Sequence, residues 1–166
     1  MATKLQHSID FPCPPADFAA AVTSEQYWKD LVANVAADIS ELESFTATDD
    51  NVTVVLQQRV PEDKLPSIVT KVRPGDLRIA RTMIWSTAGG TVSTGEFAAQ
   101  VEGAPAKVNG TQILAATATG STVTFEGSAE VAIPFVGGKV EKAIVENIID
   151  LVTAERDYTV EWINAR

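Results

Sequence analysis

The chain has 166 residues, 45% of them apolar, and a formal net charge of −9 at pH 7. This composition excludes a disordered chain, and the length suits one domain with a real core, so we expect residues 1–166 to form a single domain. The acidic balance argues against a surface that binds nucleic acid or an anionic membrane, and it identifies no partner.

Cysteine usage and hydropathy favour a cytoplasmic protein. Cys13 is the only cysteine, so no internal disulfide forms and no oxidising compartment is required. The first seven residues lack the apolar core of a signal peptide. The uncharged run 108–125 is rich in Thr, Ser and Gly, which is not typical of a transmembrane helix. We therefore expect a cytoplasmic location and no integral membrane segment.

The first part of the chain predicts one strand and two short helices. Residues 3–11 alternate weakly and end at a Pro-Cys-Pro-Pro cluster, where we expect an opening strand to stop. Pro15 suits the first turn of a helix that continues over 16–22. Ser24 suits the N-cap of a second helix, in which apolar residues from Trp28 to Val35 recur at helical spacing.

From Ile39 onward the apolar period changes to two, which predicts a series of antiparallel strands separated by turns. A loop over 61–66 and a helical turn over 67–72 interrupt the series. The predicted strands cover residues 42–48, 52–60, 77–85, 91–101, 108–119 and 122–133.

The last segment, residues 138–163, predicts an amphipathic helix of ~39 Å. Charged residues, among them Glu141 and Lys142, fall mainly outside its apolar stripe and are expected on the exposed surface. The stripe consists of residues at helical spacing: Val140, Ile144, Ile148, Leu151, Val152, Tyr158 and Trp162.

Two charged residues interrupt apolar patterns. Glu155 falls inside the helix stripe, and Arg81 lies between Ile79 and Met83 on the apolar side of its strand. Because a buried arginine needs an anionic partner, Glu155 is the economical candidate. Such a pair would be either structural or an anchor for the polar end of a ligand.

Metal and nucleophilic chemistry lack the necessary residues. His7 is the only histidine, so a zinc site of nitrogen and sulfur ligands or a Ser-His-Asp triad has few possible members. Gly137 and Gly138 favour a tight strand-to-helix turn over a nucleotide-binding loop. The sequence predicts no metal and no cofactor, and it assigns no catalytic residue.

The order of elements is similar to the helix-grip fold of the START-like superfamily, also called SRPBCC or Bet v 1-like. More narrowly, the segments 133–142 and 154–158 resemble an actinobacterial START-like family of unknown function. The resemblance implies an α+β fold, in which a curved antiparallel sheet of about seven strands wraps around the long C-terminal helix. It also implies a cavity between sheet and helix for lipids, hormones, polyketides or other apolar molecules.

Small side chains between residues 91 and 133 favour the same cavity, because they fill little of the volume between the helix and the sheet. Such pockets enclose ~300–1,000 Å³. The alternative is that Trp85, Phe97, Phe125 and the helix residues fill this space. The predicted ligand-binding residues are those that face the space: Arg81, Met83, Trp85, Ile144, Ile148, Leu151, Val152, Glu155 and Tyr158.

Three functions follow from this prediction. The first is noncatalytic binding of a small hydrophobic or amphipathic ligand, lipid-like or polyketide-like. The second is an enzyme of the polyketide cyclase or dehydratase type, for which Glu155 and Tyr158 are the available acid or base groups. The third is a protein-partner-binding module of co-chaperone type. A Glu155–Arg81 ion pair would favour plain binding or a structural role over catalysis.

Overall fold

The computed structural model describes residues 2–35 and 37–166. One strand and two short helices precede a run of six further strands, and a long helix ends the chain. The elements are β1 (Ala2–Phe11), α1 (Pro15–Val22), α2 (Glu25–Asn34), β2 (Ser40–Ala47), β3 (Asn51–Val60), α3 (Ser67–Val72), β4 (Leu77–Ser86), β5 (Thr94–Val101), β6 (Ala106–Thr117), β7 (Gly120–Val131) and α4 (Gly137–Asn164). Short 3₁₀ turns occupy Glu62–Lys64 and Ala88–Gly90.

The strands form one seven-stranded antiparallel sheet in the order β1-β7-β6-β5-β4-β3-β2. Strands β2 to β7 are each adjacent to the next in sequence, and β1 pairs with β7. The register places Arg81 of β4 opposite Leu56 of β3 and Ala99 of β5. These residues therefore share one face of the sheet, because neighbouring side chains on paired strands point the same way.

One face of the sheet is covered by α4. In β4 the buried residues Leu77, Met83 and Trp85 occupy alternate positions, and this alternation identifies the covered face. The helix lies against β1 and β7, and its C-terminal half also contacts α1 and α2. Tyr27 of α2 packs edge-on against Trp162, with ring centroids 5.3 Å apart.

The predicted helix-grip architecture is confirmed, including the two short helices after β1 and the long final helix. Ser24 acts as the predicted N-cap of α2, since its hydroxyl accepts the Tyr27 backbone N–H at 3.5 Å. Among the described residues, no helix has both the length and the apolar character needed to cross a membrane.

The prediction that Glu141 lies on the exposed surface of α4 is wrong, because its side chain is buried, with 2% relative exposure. Its carboxylate accepts the backbone N–H of Val131 at 2.9 Å and the Thr3 hydroxyl at 2.8 Å. These donors lie at the end of β7 and the start of β1, so the carboxylate fastens the first turns of α4 to the sheet. Helical periodicity does not reveal such a tertiary partner.

Candidate ligand-binding site

A cavity of about 340 Å³ lies between the N-terminal half of α4 and the covered face of the sheet. The loop over 61–66 and α3 close it on one side. Its apolar lining combines residues from the sheet, the loop and the helix, among them Leu65, Ile79, Val101, Ile144, Ile148 and Leu151. Lys64, Asn147 and Asp150 are exposed residues of the lining and therefore mark the rim.

Small side chains leave this space open. Ala99 and Val101 of β5, Val108 of β6 and Ala143 of α4 all line the cavity. Ala99 lies directly opposite both Arg81 and Val108 in the sheet register. Longer side chains at these positions would occupy the space between the helix and the sheet. The small residues in the sequence therefore predict the open space that the structure shows.

Arg81 and Glu155 form a bidentate ion pair under the helix. Arg81 Nη1 donates to Glu155 Oε2 at 2.6 Å, and Nη2 donates to Oε1 at 2.8 Å. The side chains are only 14% and 11% exposed. Burial alone would lower the pKa of Arg81, but the charge and hydrogen bonds of Glu155 outweigh it and raise that pKa. The guanidinium therefore remains charged and fixed in direction.

The ion pair lies between the large cavity and a smaller space in the core. On the far side, a space of about 60 Å³ is bordered by Arg81 and Glu155 together with Met83, Trp85 and Val152. Arg81 borders both spaces, whereas Glu155 borders the smaller one. Arg81, held by Glu155, is thus a charged group on the inner side of a pocket whose lining is mostly apolar.

The structure divides the predicted ligand-binding residues into three groups. Arg81, Ile144, Ile148 and Leu151 border the large cavity. A second group surrounds the smaller space: Met83, Trp85, Val152 and Glu155.

Tyr158 borders neither space and instead faces α2, where its hydroxyl accepts a hydrogen bond from Asn34 Nδ2 at 3.3 Å. Burial raises the pKa of Tyr158, with a further contribution from the charge of Asp30. The phenol is therefore a neutral group near the α2 surface, and it does not face the cavity.

Several lining residues were missed by the sequence prediction. Leu65, Val69 and the rest of the 61–69 segment carry no periodic pattern that shows where they fold. Gln58 also lines the cavity, since it lies opposite Ile79 on the covered face. The available signal was the alternation in β3, which places Gln58 on the same side as Val54 and Leu56.

A family model described as "Protein of unknown function (DUF2505)" matches residues 6–163. The chain belongs to the DUF2505 family. Uncharacterized proteins of Mycobacterium tuberculosis and Mycobacterium bovis are each 31% identical to this DUF2505 chain over 170 residues, and each alignment covers 98% of both sequences. These relatives agree with the resemblance to an actinobacterial family of unknown function.

Solved structures place the DUF2505 chain in the Bet v 1-like fold class. Ara h 8.0201 is 12% identical with a TM-score of 0.61, covering 97% of this chain and 99% of its own. The Zhui aromatase/cyclase from a Streptomyces species is 7% identical with a TM-score of 0.61, covering 100% and 96%. At these identities the similarity establishes the helix-grip fold alone.

Proposed function

We propose that this DUF2505 protein binds a small hydrophobic or amphipathic molecule, lipid-like or polyketide-like, without transforming it. The observation that carries the proposal is the largely apolar cavity of about 340 Å³ that is bordered by Arg81, the partner of Glu155. Its volume is at the lower end of the ~300–1,000 Å³ found for small-molecule pockets. In this proposal residues 1–166 act as a single cytoplasmic domain.

The pair selects the polar end of the ligand. Glu155 neutralises the charge of Arg81, and each of its oxygens accepts one guanidinium hydrogen bond. The guanidinium has further N–H donors that can reach an acceptor on the cavity side. A hydroxyl or carbonyl oxygen suits this position better than a second carboxylate, which would add an uncompensated negative charge to a dry site.

Binding is favoured over catalysis because the candidate acid and base groups are engaged elsewhere. Glu155 is held by both guanidinium nitrogens of Arg81, and Tyr158 hydrogen-bonds to Asn34 outside the cavity. A general base must be within hydrogen-bonding reach of the proton it removes. The Zhui neighbour is named as an aromatase/cyclase, but it shares only 7% identity with this chain.

Native mass spectrometry of the purified protein, followed by solvent extraction, tests the proposal. We expect a bound small molecule that is retained by the wild type and lost in Ala99→Phe, which fills the cavity from β5. Ala98→Phe is the matched control, because Ala98 is the exposed neighbour on the opposite face of the strand. Ala143→Leu fills the same cavity from α4 and provides a second test if Ala99→Phe does not fold.

Equal retention by the wild type and both cavity-filling variants would show that the molecule binds elsewhere. Absence of any bound molecule, together with no binding of the neutral probe N-phenyl-1-naphthylamine, would contradict the proposal.

A further inference from the structure

Phe135, in the turn between β7 and α4, combines full exposure with an unfavourable backbone conformation. Its side chain is 104% exposed, and its φ angle is 70°, in the left-handed region that favours glycine. A phenylalanine here gains no burial within the fold and carries a local conformational cost. Pro134 beside it is also exposed. The side chain therefore projects into solvent and is not packed against the rest of residues 2–35 and 37–166.

The segment around Phe135 is apolar and cationic. Between residues 131 and 145 the exposed charged side chains are Lys139 and Lys142. Glu141 is the acidic residue of this segment, but its side chain is buried and accepts hydrogen bonds from the Val131 N–H and the Thr3 hydroxyl. The exposed surface of the first turns of α4 thus presents lysines beside an exposed aromatic ring.

More lysines lie at the same end of the sheet. The end of β7 that leads to Phe135 is adjacent to the start of β6, and the antiparallel order brings the ends of β3 and β5 to the same edge. We call this region the basic end and define it by Phe135 and five exposed lysines: Lys64, Lys71, Lys107, Lys139 and Lys142. Within residues 2–35 and 37–166, none of these lysines lies within 4.0 Å of a carboxylate oxygen.

Several acids at this end are already engaged. Asp76 accepts Arg59 Nη1 and the backbone N–H of Glu62, each at 2.8 Å, and Glu62 accepts the backbone N–H of Gly75. Four exposed acids also lie at this end: Asp63, Glu102, Glu130 and Glu146. Glu130 lies opposite Lys107 in the sheet register, and Glu146 follows Lys142 by one helical turn. Since the whole chain carries −9, the remainder of the molecule is far more acidic than the basic end.

We propose that the basic end docks on an anionic phospholipid surface, with Phe135 inserted at the interface and the lysines against the headgroups. Aromatic side chains are favoured at the membrane–water boundary, and lysines near an anionic surface each strengthen binding. The whole-chain charge of −9 argues against binding of an anionic membrane by the general surface, so the docking is confined to this end. The acidic remainder is repelled by the membrane, and the charge asymmetry therefore also orients the molecule. This docking does not depend on what the cavity binds.

Cosedimentation with vesicles tests the docking proposal. Wild type should sediment with phosphatidylcholine vesicles that contain phosphatidylglycerol and should stay in the supernatant with phosphatidylcholine alone. Phe135→Gly should weaken the partition coefficient about tenfold, which corresponds to the loss of one buried aromatic side chain. Lys139→Gln should weaken it about fivefold at low salt, as should Lys142→Gln.

Two controls separate docking from general effects. Ile113→Ser removes a second large exposed hydrophobic side chain of the described residues, which lies on β6 and is 45% exposed, and it should leave the partition unchanged. Lys29→Gln removes a lysine of α2 that pairs with Glu25, and it should also have no effect. No wild-type binding to the anionic vesicles, or equal losses in these controls, would overturn the proposal. So would a wild-type dimer that Phe135→Gly converts to a monomer, since the ring would then serve a protein contact.

Discussion

At the scale of single residues, Arg81 and Glu155 are the two side chains whose placement was predictable from their disagreement with the surrounding pattern. Each is a charged residue at a position that alternation or helical spacing assigns to the core, and the structure joins them through two hydrogen bonds. Glu141 shows the opposite case, since it fits the exposed helix face and is nevertheless buried. Its partners, Val131 and Thr3, are distant on the chain or belong to the backbone.

Breaking the ion pair should destabilise the fold. Glu155→Ala leaves Arg81 buried without its anion, and we expect a loss of about 3 kcal/mol in unfolding free energy, measured by urea denaturation. The double variant Arg81→Met/Glu155→Leu removes both charges and should recover most of this loss. Ligand affinity should fall in both, because both lose the fixed guanidinium. A Glu155→Ala variant as stable as the wild type would contradict the structural part of this account.

Because of Glu141, the stability of the fold should decrease at acidic pH. The hydrogen bond from the Val131 N–H, with that from Thr3, lowers the pKa of this carboxyl below its usual value of 4.5. As the pH falls, the unfolded state therefore takes up a proton at this carboxyl before the folded state does. The contribution of Glu141 to the unfolding free energy is complete above pH 4.5 and is lost as the pH passes through the lowered pKa.

The comparison of Glu141→Gln with wild type measures this effect. Urea midpoints between about pH 3 and pH 7 should fall less steeply in Glu141→Gln, because the variant has no carboxyl to protonate. Glu146→Gln, an exposed position on the same helix, should retain the wild-type slope. Identical slopes for all three proteins would show that Glu141 does not carry the acid sensitivity.

Phe135→Gly should leave the fold at least as stable as the wild type. Glycine adopts a φ of 70° without strain, while its extra freedom in the unfolded state offsets part of the gain. We expect a change in unfolding free energy between zero and a gain of about 1 kcal/mol in thermal or urea denaturation. A loss of more than about 1 kcal/mol would mean that the ring makes a stabilising contact within the fold.

At the scale of elements, the bounds of α4 and the strand sequence followed from periodicity, but the path of α4 across the sheet did not. The stripe is continuous on a helical wheel, yet its N-terminal half faces the cavity and its C-terminal half faces α1 and α2. Thr159, outside the predicted stripe, is buried against the Tyr27 hydroxyl at 2.6 Å. Tyr158 therefore lies away from the cavity, although its spacing matches Ile144 and Leu151.

The face of α4 can be tested with one pair of substitutions. Ile148→Asp should lower the unfolding free energy by more than about 2 kcal/mol, because it places a charge between the helix and the sheet. Asn147→Asp introduces the same carboxylate at the adjacent exposed position and should have little effect. Thermal denaturation measures both. Equal melting temperatures for Ile148→Asp and wild type would show that this helix face is not packed as described.

At the scale of the whole molecule, the curved sheet was predictable because strand order, turns and final helix together match one fold class. The closure of the cavity was not, since the 61–66 loop and α3 hold their position through contacts of Leu65, Ile68 and Val69 with other elements. A segment without periodicity gives no sign of the surface on which it folds. The uneven distribution of charge also appears only when the antiparallel strands bring separate lysines to one end.

The central claim, that an apolar molecule occupies the space between α4 and the sheet, is tested most directly by methyl NMR on Ile, Leu and Val side chains. Titration with N-phenyl-1-naphthylamine, or with the molecule that co-purifies, should shift the methyl signals of Ile79, Val101, Ile144 and Leu151, which line the cavity. Signals of Leu5, Leu31 and Val54 in the packed core should change little. Saturable shifts confined to the cavity would support the account, and shifts confined to other regions, or none with either compound, would contradict it.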